Sequence, residues 1–200
     1  GWDGGYVISG LIGNGDCFVM RDPSGIRPCI YFVNDEVAAF ASERVALMSI
    51  FEKEENHIHE VQPGEVICIK AGGKVVSGQL PELPAHKACT FERIYFSRGN
   101  DPSIYAERKA LGAALKDPII DAIGGDFDNS IFSYIPNTAE TAYYGLLEEL
   151  GHHQRQLAKH QIIQAQADNS LNTDFLDQLF EGPWVRAEKL AHKDIKLRTF

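Results

Sequence analysis

Thr138 is the residue whose placement points most directly to chemistry. It stands in Pro136-Asn137-Thr138, between the apolar run Ser130 to Ile135 and a helical pattern that opens near Glu140. A hydroxyl that follows a strand and opens a helix can touch Mg²⁺ or a phosphate oxygen, because a helix N-terminus favours negative charge and Mg²⁺ takes oxygen ligands. The same position suits a helix cap, and both readings stand on position alone. Other clusters give plainer expectations. His57-x-His59 places both rings on one face of a strand, with Glu60 on the other, and a solvated pair is expected rather than a metal site. His152, His153 and His160 sit on a polar helical stretch and read the same way. Asp126-Phe127-Asp128-Asn129 starts like a calcium loop, but Ser130 follows and the turn glycine is missing. Arg93, Arg98, Glu107 and Arg108 crowd one region, where interdomain ion pairs are expected. Phosphate-loop, dinucleotide-fingerprint, zinc-protease and nucleophile-elbow motifs are all absent from the sequence.

The elements that must carry these residues change character along the chain. The first ninety residues read as β-rich. Tyr6 to Ile12 and Cys17 to Met20 flank Asn14-Gly15, a dipeptide suited to a two-residue hairpin turn. Pro28 to Val33 and Val37 to Ala41 form a second pair around Asn34-Asp35, and Val66 to Lys70 and Lys74 to Val76 a third around Gly72-Gly73. Ser42 is placed to cap a helix over Glu43 to Phe51. Gln79 to Lys87 reads as a connector, and Phe91 to Phe96 as a strand. Asp101-Pro102 is a helix start, with a capping carboxylate followed by proline at the first helical position, for a helix over Ser103 to Lys116. Asn137 and Glu140 have capping-box spacing for a helix ending near Gly151. Strand, short loop and helix there are half of a βαβ unit, whose loop lies at the end of a sheet where α/β folds bind ligands. Residues 152 to 181 look helical, with a break at Asp168-Asn169-Ser170.

Composition excludes whole classes. The chain has 200 residues, 19 Lys plus Arg and 28 Asp plus Glu, for a net charge of −9. That acidity gives no general electrostatic case for a nucleic-acid backbone. Hydrophobic residues make up 44% and charged residues 24%, so a packed globular chain is expected. No apolar run approaches the roughly 18 residues of a membrane span. Gly-Trp-Asp-Gly-Gly at the start has the character of no signal peptide. Cys17, Cys29, Cys68 and Cys89 form no CxxC pair, and four thiols are too sparse for a disulfide scaffold. A reduced, cytoplasmic protein is expected. The last nineteen residues, from Gly182, carry five Lys or Arg against two acids, a basic end that could meet a phosphorylated ligand or simply face solvent.

Taken together, the local strings resemble one family. Gly4-Gly5-Tyr6, the run Phe18-Val19-Met20-Arg21-Asp22-Pro23-Ser24-Gly25-Ile26-Arg27-Pro28, then Ala41-Ser42-Glu43, Pro63-Gly64-Glu65, Phe91 to Arg98 and Tyr134 to Thr138 occur in the order found in amidophosphoribosyltransferase. The match runs roughly over residues 4 to 150 and resumes at Lys193 to Phe200, while residues 152 to 190 are longer and richer in Gln than the family pattern. The resemblance implies a mixed α+β and α/β architecture. A partial N-terminal nucleophile hydrolase layer of αββα type is followed by the start of a phosphoribosyltransferase-type α/β domain. Residues 1–88 would be the back half of a class II glutaminase domain. Residues 89–200 would be the connecting elements and the front of the transferase.

What the family does then becomes an expectation. Its glutaminase releases ammonia from glutamine, and its transferase uses that ammonia to displace pyrophosphate from phosphoribosyl pyrophosphate, giving phosphoribosylamine for purine synthesis. The family nucleophile is an N-terminal cysteine, whereas residue 1 here is Gly1. The resemblance therefore makes this the middle of the enzyme, with no catalytic residue in the chain and no activity expected from it alone. Thr138 matches the Ser/Thr that helps bind Mg²⁺. Arg198-Thr199-Phe200 matches the opening of the flexible loop over the sugar phosphate, which makes Arg198 and Thr199 substrate-binding candidates. Cys89 matches the first thiolate of the [4Fe-4S] cluster of some members. A cluster takes four thiolates, and those members' three downstream cysteines have no counterpart here, so a buried thiol is expected. The full enzyme would be a homo-oligomer, with no nucleic-acid or membrane partner. Two rivals remain: another glutamine amidotransferase of the class, or a non-catalytic module derived from one. A strand-loop-helix after residue 130 favours the transferase.

Overall fold

The structure is a computed structural model that describes residues 2–81, 85–182 and 184–192. The chain divides into two compact units, Gly1–Ile104 and Tyr105–Phe200.

In the first unit, β1 (Val7–Leu11) and β2 (Cys17–Arg21) form the Asn14-Gly15 hairpin, and Gly15 holds φ at 92°, the left-handed region that glycine enters without strain. β3 (Ile30–Val33) and β4 (Ala38–Ala41) pair antiparallel around Asn34, whose side-chain oxygen accepts the Val37 N–H. The helix α1 (Arg44–Phe51) follows, then a short β5 (His59–Glu60), β6 (Glu65–Ile69) and β7 (Val75–Gln79). The strands make two antiparallel sheets, β1-β2-β6-β7 and β4-β3-β5.

Alternation along β3 explains the layering. Tyr31, with Phe40, packs on Val19 and Ile67 of the four-stranded sheet, in a core that Cys29 and Val61 complete. Ile30 and Phe32 point the other way, onto Leu47 of α1 and Ile58. The order is therefore sheet, sheet, helix, the mixed architecture of a partial sandwich. Burial raises the Cys29 thiol pKa to about 11. The sheet-to-sheet packing is incomplete. An open cleft of about 570 Å³ is lined by Gly10, Leu11, Phe18, Ala38, Phe40 and Ile69 among others, and Leu11 is 80% exposed.

Several sequence expectations are corrected here. Helix α1 starts at Arg44 behind Glu43, with no side-chain cap, so Ser42 does not cap it. His57 closes a 3₁₀ turn, Glu55–His57, while His59 lies in β5, so the two rings do not share a strand face. Phe91 to Phe96 is not a strand. Glu92–Phe96 is a π-helical turn closed by the Ser97 N–H on the Glu92 carbonyl at 2.7 Å. The Glu92 side chain is buried and paired with Arg27, which anchors the turn where strand alternation would have faced it outward.

The second unit is helical. Asp101 accepts the Ile104 N–H and caps α2 (Pro102–Ala113), which stops before the expected Lys116. A break at Ala114-Leu115 leads into α3 (Lys116–Ala122). Pro118 lies in the first turn of α3, where its missing N–H has no partner to lose. Helix α4 (Glu140–Ala167) runs straight through Gly151, because Leu146, Leu150, Gln154, Ala158 and Ala165 keep one face buried past it. A turn at 168–172 separates it from α5 (Thr173–Glu181), capped by Asn172. The core of this unit is Phe127, Phe132, Tyr143, Leu146 and Leu150. Helices α2 and α4 cross at glycines. A Cβ on Gly112 would meet the Ala142 carbonyl oxygen at 1.6 Å, and one on Gly145 the Lys109 oxygen at 2.0 Å. None of the described helices is long and apolar enough to cross a membrane.

Ser130 to Ile135 is not a full strand. It contributes one parallel bridge, Phe132 with Ala187. Phe132 donates its N–H to the Arg186 carbonyl at 2.9 Å and accepts the Glu188 N–H at 3.0 Å. Parallel neighbours need a crossover, and α4 with α5 supplies it. The βαβ connection expected from sequence is thus present, reduced to a single bridge.

Candidate functional site

The site follows from that bridge. After Phe132 the chain passes through Tyr134 and a turn over residues 136–139, then enters α4 at Glu140. Three contacts fix the turn. Tyr143 donates its hydroxyl to the Phe132 carbonyl at 2.9 Å, and its ring packs against Tyr134 with centroids 4.9 Å apart. Ser133 Oγ accepts the Leu190 N–H at 3.2 Å, tying the approach to the segment beside it. The Glu140 carboxylate then accepts two hydroxyls on one oxygen, Tyr134 at 2.7 Å and Tyr144 at 2.9 Å.

The electrostatics follow from this clamp. Donation by Tyr134 and Tyr144 holds the Glu140 carboxyl below its ordinary range, with Lys189 adding to the effect. In return the Tyr134 phenol is pushed up to about 12, first by its bond to Glu140 and then by desolvation. Tyr144 moves in the same direction for the same reason. At neutral pH the clamp is one carboxylate with two neutral donors.

Glu140 is therefore not the capping-box partner of Asn137. The N-cap of α4 is Ala139, with no side-chain cap, and only the Asn137 backbone carbonyl meets the Glu140 N–H, at 3.2 Å. Thr138 is half-buried one residue before the cap, so it does not cap the helix either. Among the described residues its side chain makes no hydrogen bond. A positioned hydroxyl with nothing to bind, in a turn fixed by its neighbours, stands at the N-terminus of a helix of 28 residues, where anions are favoured.

The other sequence candidates are not brought to this place. Arg198 and Thr199 lie outside the described residues. Cys89 belongs to the first unit and is half-buried, not fully buried as expected. Cys17, Cys29 and Cys68 are spread over β2, the segment before β3, and β6. Among the described residues no three Cys, His, Asp or Glu side chains converge as a metal would need. Asp126 accepts the Asn129 N–H at 3.1 Å and its side-chain amide, and these bonds hold its carboxyl below the usual range. The Asp126 to Asn129 run is a turn that satisfies itself. His153 stacks on Phe127 from α4, with centroids 6.4 Å apart.

The most specific string of the sequence has a structural role. Arg21 and Asp22 of Arg21-Asp22-Pro23-Ser24-Gly25-Ile26-Arg27-Pro28 are both buried. The Asp22 carboxylate accepts the N–H groups of Tyr6, Ile26 and Arg27, at 3.3, 2.8 and 2.9 Å. The Arg21 guanidinium spans the carbonyls of Arg27, Val61 and Gly25 and the Glu60 carboxylate. Buried charges persist where every donor and acceptor is met, and here they knot the turn to both sheets.

Sequence reasoning found Thr138 from its place between apolar run and helix. It missed the Tyr134–Glu140–Tyr144 clamp. The signal available was the spacing of Glu140 and Tyr144, four apart on one helix face.

Comparison with known proteins supplies the family context. No family model matches the chain. The amidophosphoribosyltransferase of Pseudomonas aeruginosa is 31% identical over 156 residues, 74% of this chain and 30% of that protein. The Pasteurella multocida enzyme is 32% identical over 146 residues, 68% of this chain and 28% of that protein. The solved glutamine phosphoribosylpyrophosphate amidotransferase of B. subtilis, in complex with ADP and GMP, superposes with a TM-score of 0.56 at 23% identity. It covers 74% of this chain and 31% of that one. The chain thus spans about 30% of the length of the curated relatives it matches.

Proposed function

We propose that this chain, a partial segment similar to amidophosphoribosyltransferase, serves an enzyme that transfers glutamine-derived ammonia onto phosphoribosyl pyrophosphate to make phosphoribosylamine for purine synthesis. Its first unit would be part of the glutaminase and its second the beginning of the transferase. The observation that carries the transferase half is the bridge, turn and helix over Phe132 to Glu140, with the unengaged Thr138 hydroxyl before α4.

Mg²⁺ fits this turn. The ion takes oxygen ligands and keeps several waters, so it needs only one or two protein donors beside substrate phosphates. Thr138 would hold it, and the bound ion would neutralise charge on the leaving pyrophosphate. Glu140 is held by two tyrosines and keeps the turn in place, acting on Thr138 through the backbone. The α4 N-terminus favours the phosphate groups. Arg198 and Thr199 would close over the sugar phosphate. The proposed activity is that of the whole enzyme, and the 200 residues taken alone would be inactive. A cytoplasmic site of action and a homo-oligomer belong to the same reading.

Expression of the whole natural protein that contains this chain, in a bacterial strain lacking amidophosphoribosyltransferase, tests the proposal. Growth without added purine, with glutamine-dependent release of pyrophosphate by the purified product, supports it. A soluble product that does neither contradicts it.

A further inference from the structure

The parallel bridge that positions the Thr138 turn has a second segment, and a lysine stands at its far end. Phe132 pairs with Ala187, so both segments run the same way and leave the bridge at one end. In α/β folds that end is where ligands bind. One segment goes on to Thr138 and α4, the other to Glu188, Lys189 and Leu190. The two stay together beyond the bridge, because the Leu190 N–H meets Ser133 Oγ at 3.2 Å.

Alternation sorts the side chains of this second segment. Arg186 and Glu188 share one face and pair with each other, Nε to Oε1 at 3.6 Å. Ala187 and Lys189 share the other, the face of Phe132 and Tyr134 across the bridge, and those two rings pack on Tyr143 of α4. The register of the bridge, carried on by two residues, brings Lys189 beside Tyr134 and close to the first turn of α4. Its charge is felt by the Glu140 carboxylate, after the two tyrosine hydroxyls. Among the described residues the Lys189 ammonium itself makes no hydrogen bond and no ion pair. The dipole of a helix repels a cation at its N-terminus unless an anion lies between them. Glu140 supplies one negative charge, held in place by its tyrosines, and the remaining positive potential favours a polyanion.

We infer that Lys189 is a substrate-binding residue of the transferase site, whose ammonium donates to a phosphate oxygen of phosphoribosyl pyrophosphate held at the Thr138 turn. The inference rests on the transferase reading above and adds to it a cation from the second segment of the bridge. A lysine suits the task, since it is a point charge on a flexible stem with three donors to offer a phosphate. Arg186, on the opposite face and already paired with Glu188, takes no part.

Two measurements on the whole enzyme test it: pyrophosphate binding by calorimetry with magnesium present, and the KM for phosphoribosyl pyrophosphate. Lys189→Gln should raise both the pyrophosphate Kd and that KM about tenfold, the effect of losing one charge-assisted hydrogen bond. Lys189→Arg should recover most of the affinity, and Arg186→Gln should change neither value. The magnesium concentration for half-maximal rate, at saturating phosphoribosyl pyrophosphate, should be the same in all of them. A Lys189→Gln enzyme that binds pyrophosphate as the parent does overturns the inference and leaves the Thr138 reading standing. So does an equal effect from Arg186→Gln, which would report only general surface charge. A shifted magnesium requirement in Lys189→Gln overturns it too, because Lys189 would then act by disturbing the turn. A parent enzyme that binds no pyrophosphate removes the transferase reading, and the inference with it.

Discussion

The two units use buried polarity for opposite purposes. In the first, Arg21 and Asp22 are buried charges whose every partner is main chain or one carboxylate, and they lock a turn to two sheets. In the second, Glu140 and Tyr134 are half-buried and Tyr144 is exposed, and they steady a turn that leaves Thr138 unengaged. The string most diagnostic of the family is thus scaffold, and the residue most apt for chemistry stands in a plainer sequence. Specificity of a motif reports how tightly a fold constrains it, which is a different property from touching substrate.

Breaking the knot should have the largest effect. Asp22→Ala leaves the N–H groups of Tyr6, Ile26 and Arg27 without their acceptor. Each buried unsatisfied donor costs about 1–3 kcal/mol, so a loss of about 3 kcal/mol or more is expected in urea unfolding. A loss under about 1 kcal/mol would remove the scaffold reading.

In the second unit the matching weak point is apolar. Gly112→Ala puts a methyl group into the Ala142 carbonyl, so α2 and α4 must move apart. Overpacking of this kind costs about 1–3 kcal/mol, and the midpoint of unfolding should fall accordingly. An unchanged midpoint would mean that the helices cross with room to spare.

The clamp should give the smallest change in stability and the clearest pH signature. Tyr134→Phe removes one hydrogen bond to a carboxylate at an open, solvent-screened site, so the midpoint of unfolding should move least of the three. The Tyr134 phenol has its folded pKa raised from the ordinary 10.0 to about 12, so its contribution is complete below pH 10 and is lost as pH rises towards 12. Tyrosinate absorbance should show a late-titrating phenol in the parent chain that disappears in Tyr134→Phe. Identical titration curves would show that Tyr134 does not donate to Glu140.

The same contrast explains what the sequence made legible. The hairpins around Asn14-Gly15 and Gly72-Gly73 were readable because alternation and turn chemistry are both local. Phe91 to Phe96 misled because a short run rich in aromatic residues carries no sign of the Arg27 partner that pairs with the buried Glu92 in a π-helical turn. Ser130 to Ile135 misled in the other direction, since among the described residues its one ladder partner, Ala187, lies beyond two helices. Around the site, Thr138 was visible from its position. Glu140 was read as a cap, because the capping-box pattern is local whereas its tie to Tyr134 depends on how the turn folds back.

The central claim is that the Thr138 hydroxyl meets Mg²⁺ and phosphate. It is tested most directly by the magnesium dependence of pyrophosphate release in the whole enzyme carrying Thr138→Val, a change that keeps shape and removes the oxygen. The account predicts a clear rise in the magnesium concentration needed for half-maximal rate, with the fold and the glutaminase reaction intact. An unchanged magnesium dependence would contradict it.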